Sequence, residues 1–564
     1  MTTYNLSSLK LPTLRGRTLR LFASALDSPL QGAMVGQLLK QGGVTALRDK
    51  HYGDVPTFYP LAIEEAAAQR DTPPLDWPAL QTALLRQTNR EPFANVTDYA
   101  RAYRDGVTTP EAVAEAALAA VADADDDPRP LRAFRAMDRA DVMRQARAAA
   151  ERHRAGRPLS LLDGVPVAVK DEVDQIPYGT TVGTSFLGQS PATEDATVVA
   201  RLRAAGALLM GKTNMHEIGI NPDGFNEHYG IVRNPYSLQC HAGGSSNGSA
   251  AAVAAGLCPV AIGADGGGSI RIPAALTGLV GLKATFGRVS EHGAAPLTWS
   301  MGHLGPIGAT VADVALVYAG IAGPDPLDPN SLHQPPVTLD GWDQPDLRGL
   351  RLGIYRPWFD HAEACIVEDC QAMVDRLVEM GATVHDIEIP ELDEMRVAQV
   401  VTILAEMAAN MAAHEAHWKE LSPSTRVNLS LGRAATAGDY LQAQRVRTRA
   451  INHFRRAFNA CDVILTPATA VTAPVVPDNC EADGWSDLST VTELMRFAMP
   501  ANLTGLPAIA FPVGYDPRGL PTGMQAMGRP WAEHTLLRVA SAAELVLARR
   551  RPPTYYTLLK STTH

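Results

Sequence analysis

The chain has 564 residues and a mass of 60.2 kDa, with 46% hydrophobic and 20% charged residues. That balance can bury a large core and excludes a disordered chain. The net charge of −10 and a pI near 5.9 argue against nonspecific nucleic-acid binding and against a broad basic membrane-docking face.

Cysteine use and apolar runs narrow the class further. The six cysteines form no CxxC pair and have no zinc-ligand spacing with histidine. They are too sparse for a disulfide framework, so a reducing, cytoplasmic compartment is expected. The start, MTTYNLSSLKLPTL, has no signal-peptide pattern. The longest apolar run, Ala250 to Ala264, is cut by Gly256, Pro259 and Gly263, and falls short of the roughly 20 residues of a spanning helix. Length alone allows one large α/β domain with additions, or two to four ordinary domains.

In chain order, residues 1–95 read as helical but broken by prolines and polar turns. Within 19–40, Leu19, Phe22, Leu26, Leu30, Met34 and Leu38 recur at three- and four-residue steps. Such a stripe packs on the core, faces a second protomer or touches lipid. From residue 96 the pattern becomes αβ. Thr108 or Thr109 with Pro110 and Glu111 starts a helix running to Val121. A second helix spans 138–155 and stops at Gly156. VPVAV (165–169) is a short buried strand, 196–205 a helix and ALLM (207–210) another strand. After a Gly/Ser/Ala-rich middle and a Pro/Asp-rich linker at 325–348, strands are expected at 351–355, 463–467 and 508–514. Alternating strands and helices predict a layered α/β core.

Three motifs are rejected. GALLMGKT (206–213) fits the P-loop expression, but its Ala-Leu-Leu-Met is the strand itself and not an anion-cradling turn. GSSNG (244–248) fits a nucleophile elbow around Ser246, yet loop-like NPYSLQCHAG precedes it where an apolar strand is needed. His216-Glu217 has no second histidine at helical spacing, so it is no zinc site.

The block HAGGSSNGSAAAVAAGLCPVAIGADGGGSIRIPAALTGLVGLKAT (241–285) remains. It reads as polar turn, apolar helix, short strand, glycine turn and helix. Glycine-rich backbone can turn several N–H groups toward one ligand. Gly266, Gly267 and Gly268 followed by Ser269 offer donors for a developing oxyanion. Ser269 would then be nucleophile and last donor. Its base is not obvious, since His241 is the only histidine of the block. A buried lysine serves if desolvation favours its neutral form, and Lys170 ends the apolar run GVPVAVK, where open α/β sheets bind ligands. From spacing alone, a plain helix–strand contact fits these residues equally well.

The block resembles the amidase signature family of serine hydrolases. That family pairs a GGSS[GN]GS segment with a GGS[IV]R segment whose serines are 24 residues apart, as Ser245 and Ser269 are. Its upstream lysine corresponds to Lys170 in DGVPVAVKDEVD (163–174). The resemblance implies Ser269 as acylated nucleophile, Ser245 as a bridging serine after a cis peptide at Gly244–Ser245, Lys170 as base, and Gly266, Gly267, Gly268 and Ser269 as oxyanion hole. Ser246, Asp265 and Arg271 would support the loops. Asn247 stands where glycine is common. No metal or cofactor is implied.

Segments outside the block are similar to the plant type of fatty acid amide hydrolase. They include LRLFASALDSPLQGAMVGQLLK (19–40), KTNMHEIGI (212–220), NEHYGIVRNP (226–235), IEIPELDEMRVAQ (387–399) and the stretch 495–533. This resemblance implies an α/β amidase signature fold, a central mixed twisted sheet with helices on both faces. It implies a helical N-terminal extension (1–95) and a catalytic domain (96–558). It also implies hydrolysis of fatty acid amides such as N-acylethanolamines by a homodimer, with any peripheral membrane contact through 19–40. The pocket is expected to use Ile218, Gly219, Met495 and Met499, with Phe22, Leu26, Met34 and Phe497 as further lining. The alternatives are a glutamine-dependent amidotransferase subunit, a general aryl or peptide amidase, and a noncatalytic binding protein on the same fold.

Overall fold

A computed structural model describes residues 4–9, 13–28 and 31–559. Eleven strands among the described residues pair into one sheet. Across it the order is Thr383–Asp386, Arg351–Ile354, Val463–Pro467, Pro521–Gly528, Ala508–Tyr515, Val280–Lys283, Leu304–Gly308, Val260–Ala264, Pro166–Lys170, Leu208–Thr213 and Phe134–Ala136. Pro166–Lys170 runs parallel to both its neighbours, while Val260–Ala264 and Leu304–Gly308 are antiparallel. The sheet is therefore mixed, and helices flank it. Its central strands are buried at every position. That is why they read as short continuous apolar runs and not as alternating ones.

Helix starts follow local chemistry. Pro110–Asp125 begins after Thr109, whose Oγ1 accepts the Ala112 N–H at 3.2 Å. Arg139–Arg154 begins after Asp138, whose carboxylate accepts the amides of Ala140 and Asp141. The strand expected at 207–210 runs on through Thr213. Gly211 and Lys212 of the P-loop-like string are thus strand residues. Gly211 sits at φ +134°, and a Cβ there would come within 2.3 Å of the Ala136 carbonyl oxygen. The backbone approach, not a phosphate, accounts for that glycine.

The segment 19–40 is two helices, Gly16–Leu26 and Gln31–Gln41. Leu19, Leu26 and Val35 are buried against Val427 of helix Pro423–Ala434, with Phe22 and Met34 partly buried beside them. Leu30 lies outside the described residues. Leu21, 69% exposed, points the other way. The apolar stripe thus faces the body of the protein. Strand Thr13–Arg15 pairs antiparallel with Trp485–Asp487, and Leu80 and Leu84 join the main core. Among the described residues no helix is long and apolar enough to cross a membrane.

Truncating a buried leucine costs about 2–5 kcal/mol. Leu26→Ala is therefore expected to loosen the first two helices without disturbing the sheet. Limited proteolysis checks this: cleavage within 16–41 should speed up while the sheet-bearing fragment survives intact.

Candidate active site

Two parallel strands end side by side and carry the first half of the site. Lys170 is the last residue of Pro166–Lys170 and Ala264 the last of Val260–Ala264. Lys170 is fully buried and donates from Nζ to Ser245 Oγ at 2.9 Å and to the Ala264 carbonyl at 3.3 Å. Its Nζ also lies 2.7 Å from Glu172 Oε2. Ser246 ties the serine turn to the same strand end, donating to the Ala264 carbonyl at 3.1 Å and accepting the Ala264 N–H at 3.2 Å.

The Gly244–Ser245 peptide is cis. Gly244 is required there by space, since a Cβ would meet the Asp223 carbonyl oxygen at 2.3 Å. His241 serves the turn and not the cavity. Its Nδ1 accepts the Gly243 N–H at 3.0 Å, and burial pulls its imidazole down to about 4, so it is neutral.

The second half of the site is the turn 265–271, shaped by a buried ion pair. Arg271 donates to both carboxylate oxygens of Asp265 at 3.0 Å, and both residues are fully buried. Burial alone would raise the Asp265 carboxyl, but the Arg271 guanidinium overrides it and holds the group well below the usual carboxylate range. Asn502 donates to Asp265 Oδ1 at 2.9 Å and accepts from Arg271 at 2.6 Å. Arg271 also bonds the Ala498 carbonyl and Gln525.

This geometry corrects one expectation. Gly268 does not offer its amide to the cavity: it donates to Asp265 Oδ1 at 2.7 Å. The amides of Gly266, Gly267 and Ser269 carry no protein hydrogen bond among the described residues. The available donor set is therefore those three, because the same carboxylate that closes the turn also consumes the fourth.

One cavity brings together Lys170, Ser245, Gly266, Gly267 and Ser269, with Glu172, Asn221 and Glu291 on its polar side. Among the described residues no hydrogen bond joins Ser245 to Ser269. Catalytic contacts of this kind often tighten only when substrate is bound.

The pocket expectations divide. Gly219 and Met495 line this cavity. Ile218 does not: it is fully buried in a cluster with Val182, Met215 and Leu297. Phe497 packs on Trp358 with ring centroids 5.7 Å apart, in the core. Phe22, Leu26 and Met34 belong to the Val427 cluster and line neither the polar cavity nor the apolar one. They are held by the helix packing that first suggested them.

The apolar cavity adjoins the first at Met495, which lines both. Met499 lines it as well, with Leu38, Val401, Leu404, Leu431 and Val491. Met495 Cε stands 2.7 Å from where a Cβ on Gly267 would be. Helical segments are expected up to about residue 459, but sequence reasoning did not assign helix Leu392–Met411 to the site; it contributes Val400, Val401 and Leu404 to the apolar cavity and Ile403 and Met407 to the polar one. The run VVTIL (400–404) was the available signal, but an apolar helix does not announce which cavity it faces.

The same helix reaches the turn 265–271. Fully buried Gln399 donates from Nε2 to the Gly266 carbonyl at 2.9 Å. Seven residues on, Glu406 accepts Thr298 Oγ1 at 2.8 Å and the Ser300 N–H at 3.1 Å, anchoring the helix to the opposite wall.

Comparison with known proteins matches this architecture. The model of the Amidase family matches residues 113–537, and the chain belongs to that family. It is 38% identical to a fatty acid amide hydrolase of Medicago truncatula, over 99% of this chain and 96% of that one. It is 36% identical to a glutamyl-tRNA(Gln) amidotransferase subunit of Symbiobacterium thermophilum, over 77% of this chain and 93% of that protein. A peptide amidase solved with the competitive inhibitor chymostatin superposes with a TM-score of 0.70 at 30% identity, covering 82% of this chain and 99% of that one. The protein is an amide-hydrolysing enzyme of the amidase signature fold.

The Gln399 bond gives a test of how the turn is held. One hydrogen bond is worth about 1 kcal/mol net, so Gln399→Leu should lower kcat about five- to tenfold. KM should change little, because the turn and not the pocket is disturbed. Steady-state kinetics on one amide substrate checks this split.

Proposed function

We propose that the enzyme hydrolyses fatty acid amides, such as N-acylethanolamines, to free fatty acid and amine through an acyl-enzyme on Ser269. The observation that carries this reading is that Met495 lines both the polar cavity and the apolar one. A polar cavity holding nucleophile, lysine and free amides lies beside an apolar one whose lining of Leu38, Val401, Leu404, Leu431 and Val491 suits an alkyl chain. The name of the plant relatives and their near-complete coverage of this chain support the same substrate class.

In the mechanism, neutral Lys170 accepts a proton from Ser245 as Ser245 accepts one from Ser269. Ser269 Oγ attacks the amide carbonyl. The amides of Gly266, Gly267 and Ser269 stabilise the oxyanion, each such donor being worth about 3–4 kcal/mol. Closure of the Ser245–Ser269 contact accompanies substrate binding. The proton returns through Ser245 to the leaving nitrogen, which must depart as an amine. Water then takes the place of Ser269 in the reverse relay and releases the acid.

Two experiments test the reading. Ser269→Ala should abolish turnover and fluorophosphonate labelling together; labelling retained at another serine would displace Ser269. With a series of acyl chain lengths, kcat/KM should rise about three- to fourfold per buried CH₂, at about 0.8 kcal/mol each, until the apolar cavity is full. Met495→Trp, which narrows the junction, should remove that rise and spare short acyl amides. A rate independent of chain length, or glutamine hydrolysed as readily as a long-chain amide, would overturn the assignment.

A further inference from the structure

The lysine of this site is not alone. Strand Pro166–Lys170 ends at Lys170, and the chain turns there, with the Val173 N–H donating to the Lys170 carbonyl at 3.1 Å; Glu172, inside that turn, sits beside the lysine. Their charged atoms are 2.7 Å apart, with the lysine side chain 1% and the glutamate side chain 12% exposed. An ammonium in this contact cannot accept a proton from Ser245. Before the relay runs, one Nζ–H proton must leave, and the same atom already spends its other contacts on Ser245 and the Ala264 carbonyl.

A third group bears on the balance. Backbone pairing brings the segment around Glu291 against the one around Glu172: Ala295 N–H donates to the Glu172 carbonyl at 2.8 Å, and Asp174 N–H to that of Gly293 at 2.8 Å. Glu291 lines the same cavity and accepts the Leu304 N–H. Burial first, and the charge of Glu172 second, push its carboxyl up to about 8, so it is protonated at neutral pH. The remaining charged groups nearby are committed elsewhere. Asp265 is paired with Arg271, and Asp328 accepts the Glu291 N–H at 3.0 Å. His303 lines the cavity with its Nε2 3.2 Å from Lys283 Nζ. Glu172 is thus the carboxylate in direct contact with the lysine.

We propose that Glu172 is the proton acceptor that readies Lys170: the carboxylate takes a proton from Nζ across their 2.7 Å contact, leaving a neutral amine beside Ser245. This deepens the reading of Lys170 as base and rests on it. The step balances internally. One N–H bond breaks with its electron pair kept on Nζ, one O–H bond forms on Glu172 Oε2, and the pair's total charge is unchanged. In a water-poor site the neutral pair gains on the ion pair, because burial disfavours both charges at once. The freed amine then takes the Ser245 proton and later returns it to the leaving nitrogen, while Glu172 holds the spare proton throughout.

The pH–rate profile tests this. In the wild type the lysine can be neutral without losing a proton to solvent. In Glu172→Gln the relay must wait for solvent to take the ammonium proton. The acid limb of kcat/KM should therefore move to higher pH by at least one unit, with the rate at pH 7 down at least tenfold and recovering at alkaline pH. Glu172→Asp keeps a carboxyl and should keep the wild-type limb position with a lower rate. Lys170→Ala, measured alongside, should lose most activity at every pH. If Lys170→Ala keeps the wild-type rate and profile, the lysine-base reading itself fails. If Lys170→Ala is inactive but the limb of Glu172→Gln is unmoved, or moves to lower pH as removal of a mere counter-charge requires, the lysine stands and the role of Glu172 is overturned.

Discussion

The buried pair of Asp265 and Arg271 is the constraint on which the site depends. A carboxylate and a guanidinium removed from water are tolerated only when their remaining hydrogen-bond capacity is met. Here it is met by backbone and side chains from distant parts of the chain. Asn502 comes from helix Met499–Thr504, Gln525 from strand Pro521–Gly528, and the amides of Gly268 and Ile270 from the turn itself. The pair therefore does two things at once. It fastens the Ser269 turn to the C-terminal part of the sheet, and it decides which amides the turn has left to offer.

The other half of the site follows from where strands end. Lys170 and Ala264 terminate adjacent parallel strands, and the Ser245 turn is bound to that edge through Ser246. Neither serine turn sits on an exposed loop. Each is fixed by buried hydrogen bonds to a sheet whose central strands are fully covered. Groups held this way give up little additional freedom when substrate arrives, which is how a site gains rate from positioning.

Much of this was legible before the structure. The strand at 463–467 and the helix start at Thr109 have local chemistry strong enough to be read directly. The rejected P-loop was legible too, because Ala-Leu-Leu-Met is a poor turn and a good strand. Ser269 and Lys170 were candidates from residue type and position, but Ser245 came only through the resemblance, since a glycine-rich turn with serines is ambiguous by spacing alone. What stayed hidden depended on direction. Whether the Gly268 amide faces the cavity or Asp265 is a matter of a single peptide orientation. Ile218 and Gly219 are neighbours, yet one is sealed in a cluster and the other lines the cavity. An apolar stripe, such as that of residues 19–40, looks alike whether it packs on a helix or covers a pocket. In this fold the two roles separate along it: Leu26 is packed, and Leu38 reaches the apolar cavity.

Helix Leu392–Met411 joins these parts into one device. Successive turns present Val400, Val401 and Leu404 to the apolar cavity, Ile403 and Met407 to the polar one, and Gln399 to the Gly266 carbonyl. A chain seated in the apolar cavity would therefore lean on the same rigid element that holds the turn 265–271. Glu406, bonded to Thr298 and Ser300, keeps that element from sliding along its axis. Met495 closes the circuit, since it approaches the same Gly267 position as Gln399 while lining both cavities. Binding energy from a remote alkyl chain improves catalysis only when it is felt at the reacting centre. This fold supplies such a connection through one helix and one methionine, which link the lining of the apolar cavity to the turn that bears Gly266 and Gly267.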